Sequence, residues 1–127
     1  MLLLDTDVLI DFQRNYPPAM QWLLSLTDIP LVPGFVVMEL IQDARNRKEM
    51  ERSLKLTVPF AVIWPDELEA NEAVRFFASY HLSHRLGLID SLIASMAIHR
   101  DLTLCTFNVK HYRALADLHL DKPYTKK

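Results

Sequence analysis

The chain has 127 residues, of which 50% are hydrophobic and 24% are charged, and its formal net charge is −2. This length predicts one domain with a substantial core, and the charge excludes a globally basic surface for nucleic acid, so such a contact needs a local patch or a bound cation. The two glycines, Gly34 and Gly87, are too few for the glycine-rich loops of Rossmann or P-loop nucleotide sites.

The sequence also predicts where the protein resides. The single cysteine, Cys105, has no partner for an intramolecular disulfide, which suits a reducing compartment. No stretch approaches the roughly 20 apolar residues of a membrane-spanning helix, and the N-terminal leucines lack the pattern of a signal peptide. We therefore expect a soluble, cytoplasmic protein with no membrane partner.

The first eleven residues place acidic side chains between two apolar runs. Leu2–Leu4 is a continuous apolar run, which is typical of a strand covered on both faces in a parallel sheet, and Asp5 follows its end. Thr6 or Asp7 is predicted to be the N-cap of the helix that follows. Asp5 and Asp7 are either ordinary turn and cap residues or acids placed to meet a positive ligand beyond the strand.

The next predicted elements end in a helix that carries an acid. Two prolines start a helix at residues 19–24, and a short strand lies between Pro30 and Pro33. Gly34 then opens a helix to residue 44, in which Glu39 stands one residue from the apolar face. Glu39 either needs a partner because it is partly desolvated or points into water at the helix edge. The mixed-charge stretch at 45–52 is a solvated face or a basic contact surface.

In the second half, strands and helices continue to alternate. A buried strand at 60–64 precedes a helix that begins after Asp66 and runs to about residue 80, and a polar linker occupies 81–87. Asp90 begins a helix that is apolar nearly all round, for which helix capping is the alternative role of the acid. A strand at 102–105, the turn 106–108, a helix at 110–118 and a mobile tail at 121–127 complete the prediction.

This order of elements predicts an α/β domain with a mainly parallel sheet. Asp5 and the turn 106–108 follow strands, while Glu39 and Asp90 lie near the starts of helices, so the four could converge on one cleft. Carboxylates about 4 Å apart repel by about 4 kcal/mol at an effective dielectric near 20, so three together take up protons or hold a cation. Oxygen ligands without Cys or His favour Mg²⁺ or Mn²⁺, which suits hydrolysis of a nucleic-acid backbone.

Four segments together resemble one known family: 4–10 (LDTDVLI), 37–40 (VMEL), 87–94 (GLIDSLIA) and 104–112 (LCTFNVKHY). In this order, and over essentially the whole chain, they resemble the PIN-domain ribonucleases, and within them the VapC-type toxins of toxin–antitoxin pairs. The resemblance implies a three-layer α/β/α sandwich with a mainly parallel central sheet. It also implies a Mg²⁺-dependent endoribonuclease, in which Mn²⁺ is a possible substitute.

The resemblance assigns roles to particular residues. Asp5, Glu39 and Asp90 would be the catalytic, metal-binding acids, and three residues would support them: Asp7, Thr106 and Asn108. The sequence departs from the fully acidic pattern, because Asn108 stands where many relatives carry a fourth Asp and His111 stands where others carry an Asp. A neutral amide can still bind a metal-held water, so the number of metal ions rather than the activity is in question.

The resemblance further implies an RNA substrate, a cognate antitoxin protein that occupies the cleft and a homodimer formed through helices near the N-terminal half. The basic residues expected to contact phosphate are Arg45, Arg47, Lys48 and Arg85. One alternative of a different class is a catalytically weak or inactive PIN-like module that binds RNA or protein. A haloacid-dehalogenase-type phosphatase also starts with a strand and Asp-x-Asp, but it needs a lysine before its last acidic motif, whereas Lys122 follows them all.

Overall fold

Five short parallel strands form the centre of the protein in a computed structural model that describes residues 1–126. They are β1 (Leu2–Leu4), β2 (Leu31–Pro33), β3 (Ala61–Ile63), β4 (Thr103–Cys105) and β5 (His119–Asp121), in the order β3-β2-β1-β4-β5. Leu3 and Leu4 are fully buried in the middle strand. Their continuous apolar pattern therefore reflects cover on both faces of the sheet.

Seven helices in the described residues connect the strands: α1 (Thr6–Gln13), α2 (Pro17–Ser25), α3 (Gly34–Gln42), α4 (Arg47–Thr57), α5 (Glu67–His84), α6 (Leu88–His99) and α7 (Val109–Tyr112). Contacts divide them into two groups, α1–α4 and α5–α7. Right-handed crossovers place these groups on opposite faces of the sheet. The predicted three-layer α/β/α sandwich is confirmed, and none of the helices in residues 1–126 is long and apolar enough to cross a membrane.

Side chains at the helix ends explain several of these boundaries. Asp66 and Glu69 form a capping box, in which each carboxylate accepts the other residue's backbone N–H at 2.8 and 2.9 Å. Asn46 caps α4 by accepting the N–H of Glu49 at 2.9 Å. The N-cap of α1 is Asp5, so the prediction of Thr6 or Asp7 at this position was wrong. A capping acid at Asp5 fixes its carboxylate at the end of β1.

Other sequence predictions also need correction. The predicted polar linker at 81–87 belongs largely to α5, which ends only where Arg85 adopts a left-handed φ of 57°. The helix predicted at 110–118 ends at Tyr112. The tail predicted to be mobile begins at the last residue of β5 and is held through Tyr124 and Lys126, while Lys127 lies outside the described residues. The strand around residue 62 is not buried, because β3 is an edge strand and Trp64 beyond it is 51% exposed.

Candidate active site

The order in which the chain adds strands to the sheet reverses between β1 and β4. From β1 the chain builds outward through β2 to β3, and it then returns to place β4 on the other side of β1 and β5 beyond it. The crevice beyond the carboxyl ends of two such strands is where open α/β sheets bind ligands. Asp5 follows β1 and Thr106 follows β4, so these two residues stand on either side of this crevice.

Asp5 is held rigidly at that point. One carboxylate oxygen, Oδ1, accepts the Thr6 N–H at 2.8 Å, and Oδ2 accepts the hydroxyls of Thr106 at 2.9 Å and Tyr112 at 3.0 Å. The residue is only 4% exposed. The pKa of Asp5 is raised to about 7, chiefly because the carboxyl is buried and also because Asp7 and Asp90 are negatively charged, while the bonds from Thr6 and Thr106 oppose the shift.

Asp90 is joined to Asp5 through a single hydroxyl group. Tyr112 Oη lies 3.0 Å from Asp90 Oδ1, as it does from Asp5. The other oxygen, Oδ2, accepts the Gly87 N–H at 3.2 Å and lies 3.7 Å from His111 Nδ1. A Cβ at position 87 would come within 2.9 Å of Asp90 Oδ2. Glycine at this position therefore allows the backbone to approach the carboxylate.

Glu39 reaches the same region from α3. Its carboxyl group is partly buried, and burial is the main reason that its pKa is raised. The hydroxyl of Thr6 acts in the opposite direction, and the negative charges of Asp90 and Asp43 add to the increase. Glu39 is therefore within electrostatic range of Asp90, although it shares no hydrogen bond with Asp5 or Asp90 in residues 1–126.

The structure brings Asp5 and Asp90 together and leaves Glu39 beside them. Within residues 1–126, no three acidic, histidine or cysteine side chains converge closely enough to hold an ion as they stand. Mg²⁺ is commonly held by one or two carboxylates and retains several waters. A buried Asp5 whose pKa is raised, a partly buried Asp90 and a third acid close by together have the oxygen donors and the excess negative charge that suit such an ion.

The predicted supporting residues lie at the same edge but act in different ways. Thr106 orients Asp5, and its hydroxyl in turn accepts the N–H of Asn108 at 3.0 Å. The Asn108 residue itself is exposed. Asp7 Oδ2 accepts the Phe107 N–H at 2.8 Å, which ties α1 to the turn after β4, whereas Oδ1 is buried without a hydrogen-bond partner in the described part of the chain.

The predicted phosphate-contacting residues are exposed but are not equivalent. Arg45 is engaged with the Glu49 carboxylate at 2.9–3.2 Å, while Arg47 and Lys48 stand in the first turn of α4. Arg85 ends α5, five residues before Asp90. Two further basic residues, Arg14 and Arg52, line a cleft of about 380 Å³ between α1, α3 and α4 together with Arg45.

Two further groups near the site were missed from the sequence. The first is Tyr112, whose hydroxyl contacts two of the predicted acids. The only indication of it in the sequence was the presence of an aromatic residue shortly after the turn at Thr106.

The second is Asp11, a buried acid one turn beyond Asp7. It binds the tail through Tyr124 Oη at 2.6 Å and Lys126 Nζ at 2.9 Å. Lys126 Nζ also lies 4.3 Å from the centre of the Phe107 ring. The tail is therefore anchored beside the site.

The raised pKa of Asp5 predicts a pH-dependent stability of the metal-free protein. A folded pKa of about 7 against an ordinary 3.8 means that the folded chain binds the proton more tightly. This contribution, at most about 4 kcal/mol, is fully present below pH 3.8 and is lost as the pH rises through 7. In EDTA, the melting temperature should therefore fall more steeply from pH 4.5 to 7.5 for the wild type than for Asp5→Asn. Equal slopes would contradict the assignment.

The sequence and the fold are both similar to those of known proteins. The family model for the PIN domain matches residues 2–116. Ribonuclease VapC10 of Mycobacterium tuberculosis is 39% identical over 115 residues, which cover 88% of this chain and 86% of the relative. A toxin–antitoxin complex from Klebsiella pneumoniae contains a chain with a TM-score of 0.80 and 23% identity, with 99% of this chain and all of the other covered. VapBC-1 from nontypeable Haemophilus influenzae gives a TM-score of 0.79 at 23% identity, with 96% and 97% covered.

Proposed function

Because the chain belongs to the PIN domain family, we propose that it is a metal-dependent endoribonuclease that serves as the toxin of a toxin–antitoxin pair. The observation that carries this proposal is the pair formed by buried Asp5 and partly buried Asp90, with Glu39 beside it, at the point where the strand order reverses. The 39% identity to a protein named a ribonuclease supports RNA as the substrate. Hydrolysis of a phosphodiester bond is the reaction that such a site serves.

We assign Asp5, Glu39 and Asp90 to Mg²⁺, with Mn²⁺ as a substitute. A bound divalent ion supplies an activated water and stabilises the charge that develops on the phosphodiester. The chain's own residues prepare for this ion: Thr6 and Thr106 orient Asp5, and the Gly87 N–H orients Asp90. The high pKa of Asp5 means that its proton must leave before the carboxylate can act as a ligand. Asn108 is exposed at the edge of the site, where its neutral amide would hydrogen-bond a water held by the ion.

The basic side chains would hold the RNA backbone near these acids. Arg47, Lys48 and Arg85 are exposed, and cations placed around an acidic site attract phosphates that the acids alone would repel. Arg45 already forms an ion pair with Glu49, so we expect it to contribute less to RNA binding. Contacts of this kind would not select particular bases, because phosphate contacts carry no sequence information.

Two protein partners are also proposed. The folds similar to this chain come from structures described as toxin–antitoxin or VapBC complexes, which supports a cognate antitoxin. A homodimer is supported by apolar side chains in and directly after the edge strand β3, because Val62 is 42% exposed and Trp64 is 51% exposed. Light scattering of the purified chain should give twice its mass of 14.8 kDa, and a monomer at all concentrations would contradict this part.

A PIN-like module that binds RNA without cutting it remains the second candidate. The observation in its favour is Asn108, which replaces an acid expected in the fully acidic pattern and leaves fewer charged ligands for metal. Such a module would bind RNA equally well with and without a divalent ion. It would release no cleavage products under either condition.

Removal of metal separates these two functions. The purified chain should cleave an end-labelled single-stranded RNA in Mg²⁺ or Mn²⁺, and excess EDTA should stop the reaction, because carboxylates alone supply no activated water. Adding back an excess of the ion should restore cleavage. Binding of the RNA with no cleavage in either ion would instead support the binding module, and cleavage that persists in EDTA would contradict the proposed site.

A further inference from the structure

The hydroxyl of Tyr112 is the only atom in residues 1–126 that contacts both Asp5 and Asp90 through hydrogen bonds. It lies 3.0 Å from Oδ2 of the first acid and 3.0 Å from Oδ1 of the second. The residue is 0% exposed and belongs to the main hydrophobic core. The position of the oxygen atom is therefore fixed by the packing of a rigid ring rather than by a flexible surface side chain.

This contact joins three separate elements of the fold. Asp5 caps α1 after the central strand, Asp90 lies in the first turn of α6, and Tyr112 ends α7. The second oxygen of each acid is held by a backbone N–H, from Thr6 in one case and from Gly87 in the other. With both ends of each carboxylate held, the separation and the orientation of the pair are determined before any ligand arrives.

One phenol group orients this pair but does not neutralise it. A tyrosine hydroxyl has a single hydrogen, so it can donate a full bond to only one of the two acids at a time. The two carboxylates still repel each other across the hydroxyl. A cation near the pair would relieve that repulsion, and the carboxylates would already be in place to bind it.

We propose that Tyr112 is a positioning residue that fixes Asp5 and Asp90 relative to each other so that both can bind one divalent cation. This inference rests on the proposed metal-dependent function and concerns binding of the ion rather than chemistry. Groups that hydrogen-bond metal ligands typically change metal affinity by about 10-fold to 100-fold when they are removed. Tyr112→Phe retains the ring in the core and removes only the oxygen.

The test is Mn²⁺ binding to the intact protein, measured by calorimetry and by the electron paramagnetic resonance signal of the free ion. We expect Tyr112→Phe to raise the Kd for Mn²⁺ at least about tenfold. The matched control is Tyr124→Phe, since it also removes a tyrosine hydroxyl bonded to an aspartate, Asp11, at 2.6 Å. The control should bind Mn²⁺ with the wild-type Kd.

The possible results separate this inference from the proposed function. Equal Kd values for wild type and Tyr112→Phe would overturn the role of Tyr112 and leave the nuclease proposal standing, while a wild type that binds no divalent ion would overturn both. An equal loss in both variants would overturn the specific role of Tyr112. Circular dichroism should show that Tyr112→Phe is folded without metal, and an unfolded Tyr112→Phe would overturn the inference, because the hydroxyl would then be needed for the fold rather than for the placement of the two acids.

Discussion

Replacing Asp90 by Asn is expected to reduce RNA cleavage by at least about a hundredfold while the protein remains folded. The substitution keeps the size of the side chain and removes one of the two charges that Tyr112 holds together. Metal ions supply several kcal/mol of charge stabilisation in such reactions, and each 1.36 kcal/mol corresponds to about a factor of ten in rate. Asp5→Asn should have an effect of the same size, because it removes the other member of the pair.

Initial cleavage rates of an end-labelled RNA, measured with the same preparation procedure for each variant, test this prediction. Asp28→Asn is the matched control, since Asp28 is exposed and lies outside the site. The control should retain the wild-type rate, and circular dichroism should show that all three variants are folded. A rate for Asp90→Asn close to the wild type would identify a contaminating nuclease or a different active site.

Replacing Arg100 by Ala is expected to lower the free energy of unfolding by about 3–5 kcal/mol. Arg100 donates to both carboxylate oxygens of Glu69, at 2.7 and 2.8 Å, and to the carbonyl of Trp64 at 2.7 Å. Glu69 is only 2% exposed, so loss of the guanidinium leaves a buried carboxylate without its cation. Urea denaturation at pH 7 measures the effect.

The size of this effect should depend on pH. Hydrogen bonds from Arg100 hold the pKa of Glu69 below its usual range, so the stabilisation is present above the ordinary value of 4.5 and is lost as the pH falls through the lower folded pKa. The control is Arg75→Ala, which removes a surface pair with Glu72 and should cost no more than about 1 kcal/mol. A similar decrease in the free energy of unfolding for both variants would show that the Arg100–Glu69 pair stabilises the fold no more than a surface ion pair does.

The sequence predicted the fold class well, because the alternation of apolar runs and amphipathic segments determines an α/β layer structure. The order of the strands was not predictable in the same way. Nothing in the periodicity of Leu2–Leu4 or Thr103–Cys105 shows that these two strands are neighbours, since pairing between them is set by packing of the whole chain. The short final strand was missed because its residues, His119–Asp121, include two polar side chains at a sheet edge.

The acids of the proposed site were predicted from their position after strands and in early helix turns, together with the resemblance to a family. Their hydrogen-bond partners were not. Tyr112 reads as an ordinary core aromatic residue, and it is one, because its ring is buried while its hydroxyl contacts the acids. Asp11 gave no signal because its partners, Tyr124 and Lys126, follow it by more than a hundred residues.

The central strand is synthesised long before its neighbour on one side. Asp5 and Thr106, which flank the site, are 101 positions apart. On the ribosome, the leucines of β1 emerge early and remain without half of their cover until β4 has been made. Contacts this distant in sequence slow folding and leave apolar surface open to aggregation in the meantime. The nascent chain therefore passes through an interval in which it is exposed to proteases and in need of chaperones, and in which Asp5 and Thr106 have not yet met.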